Sequence, residues 1–328
     1  MFWWNLRPGA TALLLSIFFT SGPVVQSAPL PASSQPRRVV SSPPRRVLII
    51  GVDGLRTDAL LAAAAPNLHR LIRNGSFAPD ALADRITRSG PGWASILTGA
   101  WSSKHGVVDK SLAGYRGREY PHFFTRIKSL RPGSFTASLV NWAPIHEKLV
   151  AGADISRSFG NDDSVAASAA RLLAGPGPDV LFLHFDAPDH AGHRWGFSRF
   201  SPPYMWAISR TDARIGRVLS ALEARPMRDG EEWLVLCVTD HGGTLRHHGE
   251  DMPACRRVPL IVAGDGAIAG GTMQGAALVD VAPTVMDYLG LEADPGWSLD
   301  GRGIPLERGT VGDRLSSQTP DLLNDEVR

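Results

Sequence analysis

Three apolar segments of this 328-residue sequence are each followed by an acidic residue or by an acid and a histidine. Asp53 follows VLIIGV, Asp189 and His193 lie in HFDAPDHAGH, and Asp240 and His241 lie in VTDHGG. If these segments are parallel strands, their carboxyl ends meet at one edge of a sheet, where open α/β folds bind ligands. Carboxylate oxygens and imidazole nitrogens are suitable ligands for Zn²⁺. The sequence therefore predicts a metal site at that edge.

Two more histidines, His247 and His248, follow the third cluster, and His248 is within reach of the same site. Each cluster alone is weak evidence, because an aspartate after a strand often caps a helix or forms a turn. A single histidine such as His248 is more often structural than functional. The prediction depends on all three clusters occupying equivalent strand ends.

Ser89 is the candidate nucleophile. It lies in TRSGPGW, shortly before a helical pattern at Ala94–Leu97. A serine there places its hydroxyl at a helix N-terminus, where backbone N–H groups and the helix dipole favour a negatively charged oxygen. An ordinary N-cap serine is the alternative interpretation. A neighbouring metal ion would lower the pKa of the hydroxyl and remove the need for a separate base.

Apolar, β-branched segments alternate with helical patterns along the chain, which is typical of an α/β protein. Continuous apolar runs are expected for strands that are buried on both faces. Strands are predicted at 47–52, 134–140, 180–185, 233–238 and 258–263, and helices at 58–74, 164–174, 204–224 and 281–289. The pattern predicts a mostly parallel central sheet with helices on both faces.

Both ends of the chain differ in composition from the predicted domain at 46–305. Residues 1–27 combine a weakly basic start, an apolar core and small residues, as a signal peptide does. An uncleaved anchor is the alternative, although the apolar run is shorter than the roughly 20 residues of a membrane span. Residues 28–45 predict a disordered Pro/Ser/Arg-rich linker, and residues 306–328 a polar tail. We therefore expect a secreted or periplasmic protein with no stable membrane span after signal cleavage.

Charge and cysteine content restrict the classes of partner. The formal net charge is +2 at pH 7, and no basic or aromatic pattern indicates nucleic-acid binding. Cys237 and Cys255 are the only cysteines, which is too few for a disulfide scaffold. The length allows one large α/β domain with a full core. The oligomeric state stays open.

The ordered set of motifs resembles a known superfamily. VDGLR, TRSGPGWASILTG, KHG, APDHAGH, VTDHGG and RRVPLIVAGDG, followed by VDVAPTVMDYLG, look like the serial motifs of the alkaline-phosphatase superfamily. Their order and spacing are similar to those of its type I phosphodiesterase/nucleotide pyrophosphatase members. The resemblance covers about Val47 to Leu291. It implies the alkaline-phosphatase-like fold and a hydrolase that acts on a small phosphorylated substrate.

The resemblance also implies a ligand set for two divalent metal ions, with Zn²⁺ as the expected metal and Mn²⁺ or a mixed pair as the alternatives. One ion would be held by Asp53, Asp240, His241 and the oxygen of Ser89, and the other by Asp189, His193 and His248. His247 is an alternative to His248, which is preferred because it directly precedes a glycine. Two ions roughly 4 Å apart suit an in-line displacement. The resemblance implies a phospho-serine intermediate that water then hydrolyses.

Three positions depart from the family pattern. Ser89 stands where members commonly carry threonine, which keeps the hydroxyl chemistry. Lys110 follows KHG where the family often has asparagine, and it either donates to the phosphoryl oxygens with a full charge or points to solvent. Gly90 stands where nucleotide-cleaving relatives place an aromatic residue. This glycine puts nucleotide specificity in doubt. Trp93, Trp142 and Trp195 are candidates to replace the aromatic residue, although a buried core position is the commoner role for each.

Other functions share this fold. A sulfatase signature fits Ser89 and a proline two residues later, but Trp93 stands where that signature needs arginine. A phosphonate hydrolase of the same superfamily is a second alternative. A non-catalytic secreted binding protein is the alternative from a different class, and it would be expected to lack part of the ligand set.

Overall fold

A seven-stranded sheet forms the centre of the computed structural model, which describes residues 42–307. The strands are β1 Arg45–Val52, β2 Ser76–Leu82, β3 Thr136–Val140, β4 Ile155–Ser158, β5 Val180–Phe185, β6 Glu232–Val238 and β7 Arg257–Gly264. Their order is β2-β7-β6-β1-β5-β3-β4. All neighbours pair in parallel except β7, which is antiparallel to both β2 and β6. The predicted mostly parallel sheet is confirmed.

Helices cover both faces of the sheet, because successive strand residues point to opposite sides. The helices are α1 Thr57–Ala62, α2 Pro66–Arg73, α3 Ser89–Thr98, α4 Ser102–His105, α5 Phe123–Leu130, α6 Asp162–Leu173, α7 Ala187–Trp195, α8 Pro202–Glu223, α9 Pro253–Arg256 and α10 Val281–Tyr288. In β1, Ile49 belongs to a core cluster that includes residues of α3, α5 and α10, whereas Ile50 belongs to a second cluster that includes residues of α1, α2, α6 and α8. An apolar core on each face of the sheet therefore packs the helices against it.

The structure differs from the sequence prediction at two places near the first helix. The helix predicted at 58–74 is two helices, α1 and α2, because Pro66 begins α2 and cannot continue α1. Strand β2 was not predicted, because Pro79 interrupts its pattern. The structure accommodates this proline in an edge strand that has an irregular register between Ala78 and Ala81.

The predicted signal peptide, most of the predicted linker and most of the predicted tail lie outside the described residues. Strand β1 begins at Arg45, one residue before the predicted start of the domain. Both Cys237 and Cys255 are buried free thiols. Between residues 42 and 307, every helix is too short or too polar to span a bilayer.

Candidate metal centre and nucleophile

The three aspartates among the predicted site residues lie just beyond the carboxyl ends of β1, β5 and β6. Asp53 directly follows β1, and Asp240 lies two residues beyond the end of β6. Asp189 lies in the first turn of α7, which begins just after β5. The buried Asp162 accepts a hydrogen bond from the N–H of Asp186 at 2.9 Å and so fixes the chain where α7 begins.

Three of the predicted ligands form a cluster that we call the inner group: Asp53, Asp240 and His241. One ligand atom from each residue lies within 4.8 Å of the others, and all three residues are at most 2% exposed. Nε2 of His241 lies 3.1 Å from Oδ2 of Asp240 and 3.6 Å from Oδ1 of Asp53. The same nitrogen lies 3.2 Å from Oγ of Ser89. The structure thus places the candidate nucleophile against the inner group.

The other three predicted ligands form the outer group: Asp189, His193 and His248. Nε2 of His193 lies 3.0 Å from Nε2 of His248 and 3.4 Å from Oδ2 of Asp189. The side chain of His193 is 44% exposed, so this group opens to solvent on one side. His247 lies elsewhere, with its Nδ1 3.0 Å from the carboxylate of Glu250 at the surface. The structure therefore places His248, rather than His247, in the group.

The three histidines of both groups share one hydrogen-bond pattern, in which Nδ1 faces a backbone carbonyl. A carbonyl oxygen only accepts hydrogen bonds, so Nδ1 carries the proton and Nε2 presents a lone pair. Burial lowers the pKa of His248 to about 3, which keeps this imidazole neutral. The contacts are His241 to Gly242 at 2.8 Å, His193 to Arg246 at 2.9 Å and His248 to Thr87 at 2.8 Å.

The carboxylates of both groups leave buried oxygens without a donor among the described residues. These oxygens are Oδ1 of Asp53, Oδ1 of Asp189 and Oδ2 of Asp240. A buried acceptor without a donor costs about 1–3 kcal/mol, and here acceptors face one another at close range. Imidazole lone pairs that face carboxylate oxygens need a cation between them. The donor set therefore fits a bound divalent metal in each group.

Electrostatics lead to the same conclusion. Burial and then the charge of Asp53 raise the pKa of Asp189 and of Asp240 well above the ordinary value of 3.8. Burial alone would raise the pKa of Asp53, but the hydrogen bonds that its carboxylate accepts from His184 and Trp93 act against burial, and that pKa is lowered. The site concentrates negative charge in a region of low dielectric, and a metal ion would offset that charge.

Two buried side chains outside the predicted ligand set, those of Trp93 and His184, orient the carboxylate of Asp53. Its Oδ2 accepts hydrogen bonds from Nε1 of Trp93 at 3.0 Å and from Nε2 of His184 at 3.1 Å. His184 receives the N–H of Trp142 on Nδ1, so its proton lies on Nε2 and it is a donor rather than a ligand. Both contacts leave Oδ1 of Asp53 directed at His241. The signal was present in HFDAPDHAGH, which places His184 near the end of β5.

Ser89 is the first residue of α3, as the helical pattern after it suggested. This helix packs directly on the end of β6. A Cβ atom at Gly92 would lie 2.7 Å from Cβ of Asp240, so only glycine allows the close approach. The glycine-rich start of α3 therefore brings the hydroxyl of Ser89 to the inner group.

The outer group, together with Asp53 of the inner group and Ser89, lines a cleft of about 660 Å³. Two exposed basic residues, Arg88 and Lys110, flank Ser89 in this cleft, and Trp142 contributes an aromatic wall. The other residues that line it are Asp53, Asp109, Ser111, Asp186, Asp189, His190, His193 and His248. Lys110, for which two orientations were open, lines the cleft.

Gly90 faces backbone rather than open space. A Cβ atom at this position would lie 2.1 Å from the carbonyl oxygen of Asp109 and 3.3 Å from Cα of Lys110. The chain around Lys110 therefore occupies the space that a side chain after Ser89 would need. Of the possible aromatic replacements, Trp93 is fully buried, whereas Trp142 reaches the cleft.

Sequence comparisons relate the chain to known proteins. The profile of the family described as "Type I phosphodiesterase / nucleotide pyrophosphatase" matches residues 47–129 and 121–253. The chain is 26% identical over 233 residues to the human bis(5'-adenosyl)-triphosphatase ENPP4, a match that covers 62% of this chain and 49% of that protein. It is 33% identical over 122 residues to a 2,3-bisphosphoglycerate-independent phosphoglycerate mutase of Desulforudis audaxviator, covering 36% and 22%. The matches span about half or less of these curated relatives.

A solved structure shares the fold over most of the chain. The murine ectonucleotide pyrophosphatase/phosphodiesterase 5 superposes with a TM-score of 0.60 at 15% identity. The superposition covers 79% of this chain and 98% of that chain. At this identity the likeness concerns the fold.

Proposed function

Because this chain belongs to the type I phosphodiesterase/nucleotide pyrophosphatase family, we propose that it hydrolyses phosphoric esters through a phospho-serine intermediate on Ser89. The observation that carries the proposal is the inner group, in which the lone pair of His241 and unpartnered carboxylate oxygens lie beside the Ser89 hydroxyl. A cation bound there would accept the lone pair of His241 and offset the charge of these carboxylates.

The proposed reaction has two displacements at phosphorus. Oγ of Ser89 attacks the phosphorus atom, the ester P–O bond breaks, and the leaving oxygen takes up a proton. Water then attacks the phospho-serine, so that phosphate or a phosphate monoester leaves and the hydroxyl is restored. Two divalent cations, which we propose to be Zn²⁺ in the inner and outer groups, would lower the pKa of Ser89 and offset charge on the phosphoryl and leaving oxygens.

The cleft supports a preference for strongly anionic substrates. Arg88 and Lys110 place two cationic side chains beside Ser89, and a phosphate monoester offers one more negative charge to them than a diester does. The backbone against Gly90 excludes an aromatic side chain directly after the nucleophile. We propose a substrate that is selected by its phosphate charge, with Trp142 available for contacts to the rest of the molecule.

A sulfatase is the second candidate function, and one residue argues against it. Trp93 stands where the sulfatase signature needs arginine, and here it is fully buried and donates to Asp53. An arginine at this position would place a charge in the core beneath the inner group. We also propose, from residues 1–27 alone, that the protein is exported.

The first test is hydrolysis of paired chromogenic esters by the purified chain with and without added Zn²⁺. The substrates are p-nitrophenyl phosphate, bis-p-nitrophenyl phosphate and p-nitrophenyl sulfate. We expect zinc-dependent turnover of the phosphates, with the monoester preferred. Turnover of the sulfate alone would establish the sulfatase, and bound metal without turnover of any ester would favour a phosphonate hydrolase or a binding protein.

The second test is Ser89→Ala. Because Ser89 supplies the nucleophilic oxygen, turnover should fall by roughly 10³-fold or more, while the carboxylates and imidazoles still bind metal. Metal content is measured in the same preparation, because this distinguishes loss of the nucleophile from loss of bound metal. Activity close to that of the wild type would remove Ser89 from the mechanism.

A further inference from the structure

At the rim of the cleft, beyond the outer group, lies an exposed surface that the proposed reaction does not use. We call it the basic aromatic surface, and it consists of Arg194, Trp195, Arg199, Phe200, Leu245 and Arg246. Two hydrogen bonds to backbone carbonyls connect the chain around the end of α7 to the segment of Leu245 and Arg246. The N–H of Phe197 donates to the carbonyl of Leu245 at 2.6 Å, and Nδ1 of His193 donates to that of Arg246 at 2.9 Å.

The apolar side chains of this surface are unusually open. Trp195 is 51% exposed, Phe200 is 80% exposed and Leu245 is 75% exposed. Full burial of such a side chain stabilises a fold by about 1.5–3 kcal/mol, and these exposed side chains contribute little of that free energy. Several large apolar side chains exposed close together mark an interaction site rather than scattered surface residues.

Leu245 is held outward by a strained turn. Thr244 and His247 exchange two backbone hydrogen bonds of 2.9 and 3.0 Å, so Leu245 and Arg246 form the tip of a two-residue hairpin. Leu245 has a φ of +48°, a conformation that favours glycine or asparagine at such a tip. A leucine that is strained and three-quarters exposed contributes nothing to the core, which indicates a use for its side chain outside the fold.

The charges alternate with the apolar groups. The guanidinium of Arg194 lies 5.0 Å from the ring centre of Trp195, and that of Arg199 lies 4.8 Å from the ring centre of Phe200. The segments 190–200 and 244–249 contain three arginines and no acidic residue, and Glu250, which follows them, lies 3.0 Å from Nδ1 of His247. The charge of Arg199 contributes to lowering the pKa of Asp58, but that carboxylate is already bound by Arg56 through contacts of 2.8 and 3.0 Å.

We propose that the basic aromatic surface docks the protein on an anionic lipid membrane. Tryptophan and phenylalanine rings enter the headgroup region of a bilayer, and guanidinium groups bind lipid phosphates in two-point contacts. Arginines near a negatively charged leaflet add electrostatic attraction that falls with salt. The surface lies next to the exposed His193, so docking brings the cleft close to the lipid headgroups. This inference does not depend on the reaction proposed above.

The test is sedimentation of the purified chain with vesicles of phosphatidylcholine, with and without phosphatidylglycerol. We expect binding that needs the anionic lipid and weakens as salt rises. The double variant Arg194→Gln/Arg199→Gln should reduce the partition coefficient about fivefold for each arginine. The double variant Trp195→Ala/Phe200→Ala should reduce it about tenfold or more.

Met227→Ala is the matched control. Met227 is 58% exposed but follows the C-terminal end of α8, whereas Phe200 lies just before the N-terminal end of this helix, which has 22 residues and is about 33 Å long. Vesicle binding by Met227→Ala should equal that by the wild type. Thermal unfolding and hydrolysis of a soluble ester report whether the variants keep their fold.

Three results would overturn the proposal. The first is equal binding to neutral and anionic vesicles, and the second is equal binding by the wild type and both double variants. The third is a wild-type oligomer that Trp195→Ala/Phe200→Ala converts to a monomer without any change in vesicle binding, since this would assign the surface to self-association.

Discussion

The inner and outer groups contain the same kinds of ligand but are built in different ways. The inner group lies on chain segments that directly continue β1 and β6, and its three residues are at most 2% exposed. The outer group takes two residues from α7 and one from the loop after Thr244, and His193 is 44% exposed. The sheet therefore fixes one half of the site, and a helix and a loop support the other half.

This difference suggests a division of tasks. The inner group contacts the nucleophile and is supported by Trp93 and His184, so its geometry is insensitive to solvent. The outer group borders the open cleft, where a leaving group must depart and water must enter. We therefore expect inner substitutions to remove activity and outer substitutions to weaken it in a way that added metal can restore.

The largest effect is expected for Asp240→Asn. The amide keeps one oxygen for the N–H of Gly54 and places a donor opposite the lone pair of His241. The metal-free fold should therefore become more stable, while turnover falls roughly 10³-fold, or about 4 kcal/mol. Metal content, thermal unfolding and kcat/KM measured together check this. A variant that keeps half of its activity would show that the inner group is not the centre of the reaction.

Removal of metal should have the next largest effect, and it should depend on pH. The raised pKa values of Asp189 and Asp240 mean that, without metal, these groups stabilise the fold only while protonated, and that stability is lost as pH rises above 3.8. Bound metal removes this loss. At a free metal concentration of 1,000 times Kd, metal adds about 4 kcal/mol to the free energy of unfolding.

The measurement is the melting temperature of chelated and metal-loaded protein at several pH values. The gap between the two should widen as pH rises above 3.8, the ordinary pKa of an aspartate. In Asp240→Asn the gap should widen less, because the fully buried carboxylate is gone. A gap that narrows with pH would contradict the assignment of both groups as metal ligands.

A smaller effect is expected for His193→Ala in the outer group. Because this ligand is 44% exposed, water can take its place, and activity should fall by about 100-fold, the upper end of the 10–100-fold loss that follows when a residue supporting a metal ligand is changed. Raised Zn²⁺ should restore part of it. His247→Ala is the control, since His247 is also a surface histidine of this region but pairs with Glu250. An equal loss in His247→Ala would reverse the choice of ligand between His247 and His248.

The candidate metal ligands were more accessible from the sequence than the side chains that support them. Continuous apolar runs predicted β1, β5 and β6, and strand ends bring Asp53 and Asp240 together wherever such a sheet forms. The roles of Trp93 and His184 depend on which way buried side chains point, and periodicity does not carry that information. The backbone that closes the space at Gly90 belongs to a loop, whose path is set by tertiary contacts rather than by local pattern.

The smallest effect is expected for Lys110→Asn, which tests the positive charge in the cleft beside Ser89. Loss of one positive charge beside Ser89 should weaken monoesters more than diesters, because the monoester carries the extra charge. The ratio of kcat/KM for p-nitrophenyl phosphate to that for bis-p-nitrophenyl phosphate should fall about tenfold, equivalent to about 1.4 kcal/mol. Lys104→Asn is the control, because Lys104 pairs with Asp300 away from the cleft. An unchanged ratio would mean that Lys110 faces solvent in the working enzyme and that Arg88 alone supplies the charge.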